Sequence, residues 1–175
     1  MRYIFSPENK FKTWRKIWIA LAESQMEMGI TVTAKQVREL KKYKDNINYE
    51  IAEKWEKKLR HDVMSHVKAF GEQAKIASGI IHLGMTSCDV SDNADLILMY
   101  QGLQKIRGNL PNPINQTILE DIDRIINNYA LRGLKGATGT QATFLQLCGS
   151  PEKVIELERR FVTKLGFEII IPITG

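Results

Sequence analysis

Apolar side chains recur at intervals of three and four residues along most of this chain, and that spacing constrains the fold more than any other feature. The first stripe follows the helix-starting pair Ser6-Pro7 and consists of Phe11, Trp14, Trp18 and Leu21. A stripe of this kind buries one face of a helix, so we interpret these side chains as part of a packed core. The sequence therefore predicts a mainly α protein.

Capping signals indicate where the predicted helices begin and end. Thr33 and Gln36 form a capping box for a helix through about residue 43, and Gly29 and Gly166 are typical helix stops. Further helical stripes occupy residues 48–59, 63–74, 96–106, 118–129 and 151–165. Only residues 168–173 have the pattern of a strand, and an extended linker would suit them equally well.

The composition is that of an ordinary globular protein, with 175 residues, 43% hydrophobic and 26% charged. No apolar run reaches the roughly 18 residues that a membrane span needs, and the N-terminus lacks a secretory signal. We therefore expect a cytoplasmic chain in which Cys88 and Cys148 are reduced thiols.

The formal net charge of +5 suits either an anionic partner or a well-solvated surface. Nucleic acid, a membrane surface and a small polyanion would all satisfy the charge. The cations are interleaved with acids, however, and no zinc or RNA-recognition motif is present, which argues against a nucleic-acid module.

Three segments interrupt the helices, and loops of this kind are where a helical scaffold places binding groups. They span residues 79–93, 109–113 and 132–141. In the first, Thr86 and Ser87 precede a helix, where hydroxyls and free amides can bind an anion. Ordinary capping by Ser87 or Ser91 explains the same residues. The third is rich in glycine but fits no standard phosphate-binding motif.

The tripeptide Arg60-His61-Asp62 combines a fixed cation, a titratable imidazole and an acceptor. Such a group suits phosphate binding and proton transfer near neutral pH, although a helix start with Asp62 as N-cap explains it too. A metal site would need further ligands, and only His66 and His82 are available as histidines. A nucleophilic pair of Cys88 and His82 lacks an activating context.

Several long strings occur together in an order that is typical of one enzyme family. They are Arg2-Tyr3 with Ser6-Pro7, Lys58-Leu-Arg-His-Asp-Val-Met64, Gly79-Ile-Ile-His-Leu-Gly-Met-Thr-Ser-Cys88, and Gly133-Leu-Lys-Gly-Ala-Thr-Gly-Thr-Gln141. Through these strings the chain resembles the adenylosuccinate lyase family of the fumarase/aspartase superfamily. The resemblance covers most of residues 2–107 and 131–175.

The resemblance implies a β-elimination that releases fumarate from adenylosuccinate or from SAICAR, with no metal and no organic cofactor. It assigns substrate binding to Arg2, Tyr3, Arg60, His61, Asp62, Thr86, Ser87 and Gln141. The first five would contact the nucleotide, with His61 also supporting turnover, whereas Thr86 and Ser87 would lie near the succinyl carboxylates. Members of the family form homotetramers with shared active sites, so the resemblance implies the same assembly. Neither nucleic acid nor a membrane is an expected partner.

The chain also departs from the family pattern in two places. Residues 108–131 contain no histidine to match the general acid of the Thr-His-x-Gln-Pro-Ala segment. The Ser-Ser-x-Met-Pro-x-Lys loop, which supplies the catalytic base, is not matched within the 175 residues. We therefore expect an N-terminal, internally shortened part of such an enzyme, inactive or very weak by itself. The alternative is a non-catalytic nucleotide-binding remnant or interaction subunit.

The resemblance also predicts how the chain divides into domains. Residues 1–84 are expected to form an N-terminal helical domain. Residues 85–175 are expected to begin a central domain of long bundled helices, of the fumarase/aspartase type.

Overall fold

A computed structural model describes residues 1–110 and 116–168. Within these ranges the chain forms eight helices and no strand. The helices are α1 (Pro7–Glu27), α2 (Ala34–Tyr43), α3 (Tyr49–Leu59), α4 (Asp62–Gln73), α5 (Ser87–Arg107), α6 (Gln116–Asn127), α7 (Ala142–Cys148) and α8 (Pro151–Lys164). The mainly α prediction is confirmed. Residues 169–173 of the predicted strand and 111–113 of the predicted break lie outside the described residues.

The helix starts follow the capping signals closely. Ser6 accepts a hydrogen bond from the Asn9 N–H at 3.2 Å, and Pro7 occupies the first helical position of α1. Thr33 and Gln36 form the predicted capping box of α2. Helix α8 begins in the same way as α1, because Ser150 caps it immediately before a proline.

Helix α1 lies at the centre of the fold, in contact with α2, α5 and α8. Its predicted stripe is buried, since Trp14, Trp18 and Leu21 are each at most 1% exposed. Phe11, at the stripe's edge, is partly buried against the same core. The core interpretation of this stripe is confirmed.

Two helices in the second half of the chain differ from what the apolar periodicity predicts. Helix α7 was not predicted, because only Phe144 and Cys148 of its seven residues are buried, too few to give a stripe. Helix α6 has the predicted apolar face but no buried residue, and Ile118 and Ile125 are nearly half exposed.

The hydrophobic core runs continuously past the predicted domain boundary at residue 84. Ile80 and Ile81 before the boundary belong to the same cluster as Met85, Val90 and Ala94 after it. The division into domains stays a prediction. None of the helices in the described ranges has the length and apolar character to cross a membrane.

Candidate functional site

The Gly-rich loop of residues 132–141 is held against the start of α5 by one buried carboxylate. Asp89, which is completely buried, accepts the Gly136 N–H at 2.8 Å on Oδ1. Its other oxygen accepts the backbone N–H of Thr86 at 2.8 Å and the Thr86 hydroxyl at 3.3 Å. A single side chain therefore fixes the hydroxyl pair at the α5 N-terminus relative to the loop.

Asn93 binds the loop one turn further along α5. Its side-chain oxygen accepts the Gly133 N–H at 3.0 Å, and its Nδ2 donates to the Gly133 carbonyl at 2.9 Å. Asn93 is completely buried. Both backbone groups of Gly133 are thus satisfied by one amide, which holds this end of the loop in a single orientation.

Glu158 of α8 also holds this loop. Its carboxylate accepts the Leu134 N–H at 2.8 Å and the Gln141 Nε2–H at 3.3 Å. Glu158 is 2% exposed, and burial raises the pKa of its carboxyl group. Gln141 also donates to the Leu134 carbonyl at 2.8 Å, so its amide is fixed by two partners.

The positive charge of Arg132 links the loop to the carboxylates of α5. Its guanidinium lies 3.5 Å from Asp89 and 3.3 Å from Asp92, and it also donates to the Gly136 carbonyl. Because Asp89 is completely buried, this cation compensates a carboxylate that would otherwise be costly to remove from water.

The predicted tripeptide Arg60-His61-Asp62 forms the junction between α3 and α4. Arg60 ends α3 in the left-handed conformation, with φ of 50°. His61 caps α4 by accepting the Met64 N–H on Nδ1 at 3.4 Å, so Asp62 is the first helical residue. The prediction of Asp62 as N-cap is wrong, because the imidazole one residue earlier takes that position. All three side chains are exposed.

The segment of residues 79–85 leads from the end of α4 into the start of α5. His82 accepts the Trp18 indole N–H at 3.1 Å on Nδ1, and the Leu83 carbonyl accepts from Gln25 at 2.9 Å. Burial, and to a smaller degree the charge of nearby His61, lowers the pKa of His82 to about 4. Since Nδ1 is engaged by Trp18, the geometry gives no support to a nucleophilic pair with Cys88.

Arg2 and Tyr3 lie in a different part of the chain. Both are exposed, and the Tyr3 carbonyl accepts the Ser6 N–H at 3.0 Å. The neighbouring Phe5 ring sits against Gly102, where an added Cβ would lie 3.1 Å from the ring. Gly102 is about four turns beyond Ser87 on α5, which is roughly 22 Å along the helix axis. A single chain thus holds the Gly-rich loop, which carries Gln141, against the start of α5 but leaves Arg2 and Tyr3 apart from it.

Four residues that organise this site were not among the predicted site residues, namely Asp89, Asn93, Arg132 and Glu158. Two carried a usable signal. Asp89 stands three residues after Thr86, which is capping-box spacing. Glu158 lies four residues after Val154 and three before Phe161, so a carboxylate falls on the buried face of α8.

Within the described residues, no three His, Cys, Asp or Glu side chains gather as a metal-binding group.

No protein-family model matches the chain. The adenylosuccinate lyase of Saccharomyces cerevisiae is 38% identical to it over 218 aligned positions, which include all of this chain. Over its whole length the chain is similar to adenylosuccinate lyases, in agreement with the resemblance of its motifs. It covers 45% of the length of that yeast relative. The alignment has 218 positions and the chain 175 residues, so 43 positions of the yeast protein have no counterpart here, and the predicted internal shortening is confirmed.

Solved structures agree with the predicted fold class. A fumarate lyase from Mesorhizobium sp. matches 96% of this chain with a TM-score of 0.69 at 15% identity, over 48% of its own length. A 3-carboxy-cis,cis-muconate lactonizing enzyme from Pseudomonas putida matches 96% of this chain with a TM-score of 0.79 at 14% identity, over 47% of its own length. The described helices of this adenylosuccinate lyase relative thus have a fumarase/aspartase-type fold.

Proposed function

We propose that this chain contributes binding groups to an adenylosuccinate lyase. That enzyme would release fumarate from adenylosuccinate to give AMP, and from SAICAR to give AICAR, in cytoplasmic purine nucleotide biosynthesis. One observation carries the proposal: buried Asp89 fixes the Gly-rich loop beside Thr86 and Ser87, in a chain 38% identical to a yeast adenylosuccinate lyase. These hydroxyls stand at the N-terminus of a helix, where the dipole and free amides favour an anion.

The proposed roles follow from the chemistry of a substrate with one phosphate and two carboxylates. Arg60, His61 and Asp62 contact the nucleotide, and the exposure of all three leaves them accessible to it. Thr86 and Ser87 bind the succinyl carboxylates, while Gln141 contacts the substrate from the loop. Arg60 supplies charge-assisted hydrogen bonds to an oxyanion, and the Ser87 hydroxyl donates a neutral one.

Arg2 and Tyr3 would serve the site of another subunit. Their separation from Thr86 along α5 supports this assignment, because a side chain cannot reach across roughly 22 Å. The proposed assembly is a homotetramer whose active sites are shared between subunits. Each chain would then supply its N-terminal pair to one site and its Gly-rich loop to a different one.

The proposed reaction breaks a carbon–nitrogen bond. A base removes a proton from the carbon beside a carboxylate, the electron pair forms the double bond of fumarate, and an acid protonates the departing nitrogen. Neither step needs a metal or an organic cofactor. Because the family's acid and base motifs are unmatched in these 175 residues, we expect this chain to bind nucleotide with little turnover.

Isothermal titration with AMP tests the proposed nucleotide site. Arg60→Ala is expected to weaken AMP binding about 10-fold or more, because a charge-assisted contact to the ligand is lost. Arg38→Ala is the matched control, since Arg38 is an exposed arginine of α2 outside the proposed site. Failure of the wild-type chain to bind AMP, or equal losses in the two variants, would contradict the proposal.

The second candidate is a non-catalytic remnant or interaction subunit that pairs with full-length chains. The 43 unmatched positions of the yeast alignment favour it, because an internal deletion removes chain that the relative retains. Ultraviolet absorbance of adenylosuccinate distinguishes the two. Turnover by the chain alone supports the enzyme, whereas AMP binding without turnover, even after mixing with a full-length relative, supports the remnant.

A further inference from the structure

A cavity of about 460 Å³ is lined by residues of α1, α2, α5 and α8 and by the residues that directly follow α2 and α8. Its volume is typical of small-molecule sites in proteins. Ile97, its first lining residue on α5, stands ten positions after Ser87, which is about 15 Å along the helix axis. The cavity is therefore separate from the hydroxyls at the start of α5.

The inner surface of this cavity is apolar. Ile19, Ala20 and Ile97 line it, belong to the hydrophobic core and are between 2% and 9% exposed. Leu165, directly after α8, packs against the same core. A ligand seated here would remove an apolar part of its own surface from water.

The rim of the cavity is cationic, since its charged lining residues are four lysines and one glutamate. Two of the lysines are already compensated. Lys41 forms an ion pair with Glu23 of α1, and Lys164 forms one with Glu27 at 2.6 Å. Both also lie in the last turn of a helix, where a cation interacts favourably with the helix dipole.

The other two lysines of the rim, Lys16 and Lys44, are not compensated in this way. Lys16 is exposed in the middle of α1, away from both helix ends, and no acidic side chain in the described part of the chain forms an ion pair with it. The acidic partner of Lys44 is Asp45 at 3.9 Å, and both side chains are about half exposed. Two cations on different elements thus line an apolar cavity without a close anion.

We propose that this cavity binds an organic polyphosphate, the class of ligand that includes nucleoside triphosphates. The phosphates contact Lys16 and Lys44, and the apolar part of the ligand packs on Ala20 and Ile97. Lysine binds phosphate as a point charge, and only a ligand with several negative charges can satisfy two lysines on separate elements. The site shares no residue with the proposed nucleotide contacts, so either proposal can fail without the other.

Isothermal titration with ATP tests the site. The double variant Lys16→Met, Lys44→Met keeps two long unbranched side chains but removes both charges, so it is expected to bind ATP about 10-fold or more weakly than the wild type. The matched control is Lys12→Met, Lys42→Met, which removes one lysine from α1 and one from α2 outside the cavity lining. It changes the net charge equally and should bind ATP as the wild type does.

Equal losses in the two double variants would overturn the proposal, because they would show attraction to the overall charge of the chain. So would failure of the wild-type chain to bind ATP. Inorganic triphosphate should bind more weakly than ATP, since it has no apolar part, and equal affinities would contradict an organic ligand.

Arg60→Ala distinguishes this cavity from the proposed nucleotide site. If ATP occupies the cavity, that variant should keep the affinity of the wild type for ATP, whatever happens to AMP binding. Loss of ATP binding in Arg60→Ala with none in the Lys16 and Lys44 variant would assign ATP to the other site and overturn this one. Thermal unfolding of each variant confirms that the titrated protein is folded.

Discussion

Gly133 occupies a position where a side chain would collide with a buried carboxylate. Its φ of 76° lies in the left-handed region, and an added Cβ would run into Oε1 of Glu158. Two costs therefore combine at this residue, backbone strain and displacement of the carboxylate that holds the loop.

Gly133→Ala is expected to lower the free energy of unfolding by about 2 kcal/mol or more. Gly139→Ala is a matched control from the same loop, because Gly139 has φ of 83° but no atom near its added Cβ. The control should lose only the strain, about 1 kcal/mol. Urea unfolding measures both, and equal losses would show that the contact with Glu158 contributes nothing.

One buried and one half-buried histidine make stability depend on pH. Burial, helped by the charge of Arg15, lowers the pKa of His66 from 6.5 to about 4, and burial likewise lowers the pKa of His82 to about 4. The unfolded chain takes up protons as the pH falls through 6.5, whereas the folded chain does not until about 4. Their effect on stability is therefore absent above pH 6.5 and increasingly unfavourable between 6.5 and 4.

His66→Phe is expected to reduce this pH dependence while preserving the packing. The His66 ring stacks on Phe11 with centroids 3.8 Å apart, a contact that another aromatic ring can keep. The slope of unfolding free energy below pH 6.5 should fall by up to about 1.4 kcal/mol per pH unit. Urea unfolding at about pH 7 and about pH 5 measures it. An unchanged slope would mean that His66 is not the responsible group.

Helix α1 is tied to the ends of two other helices by one buried arginine. Arg15 is 2% exposed, and it donates to the carbonyls of Tyr43, at the end of α2, and of Asn46, just beyond it. It also donates to Gln73 at the end of α4. Burial lowers the pKa of Arg15 to about 10, so the guanidinium remains charged at neutral pH. It lies 4.2 Å from the Phe70 ring centroid, which adds a favourable cation–π contact.

Arg15→Met should therefore destabilise the protein by about 2–4 kcal/mol, because it removes the charge-assisted hydrogen bonds that a buried guanidinium makes to Tyr43, Asn46 and Gln73. Lys16→Met changes the neighbouring but exposed residue of the same helix and should have an effect within about 0.5 kcal/mol. Chemical unfolding compares the two variants. Similar midpoints would show that Arg15 is replaceable by an apolar side chain.

These elements show which parts of the fold the sequence alone predicts. Caps such as Ser6 and Thr33 and the stripe on α1 are local patterns, so the helices they define were predictable. Glu158 meets Gln141 across 17 residues of chain, and Asn93 meets Gly133 across 40. No local sequence pattern predicts hydrogen bonds between residues that lie so far apart in the chain. The Gly-rich loop was therefore recognisable as a candidate site, but the buried groups that hold it were not.

On the scale of the whole molecule, an apolar groove of about 290 Å³ lies between the N-terminal segment and α5. Its lining includes Phe5, Met99, Leu103 and Ile106, and three of these four side chains are substantially exposed. Exposed apolar surface of this kind is typical of an interface between subunits. The groove is consistent with the proposed homotetramer.

Ile106→Lys is expected to weaken self-association of the chain, because it places a charge in a surface that subunits would bury. Ile76→Lys is the control, since Ile76 is 49% exposed and does not line this groove. Sedimentation velocity over a range of concentrations measures both. If the Ile106 variant associates as the wild type does, this groove is not part of the interface.

The central place of α1 has a consequence for folding during synthesis. Its partners α5 and α8 are made much later, and the ion pair of Glu27 with Arg160 joins residues 133 positions apart. At translation rates of about 5–20 residues per second, roughly 7 to 27 s separate the two ends of that contact. Trp14 and Trp18 contact His66, Phe70 and His82, so these two rings stay uncovered at least until those residues have been made. The nascent chain therefore offers chaperones an aromatic segment that the finished protein conceals.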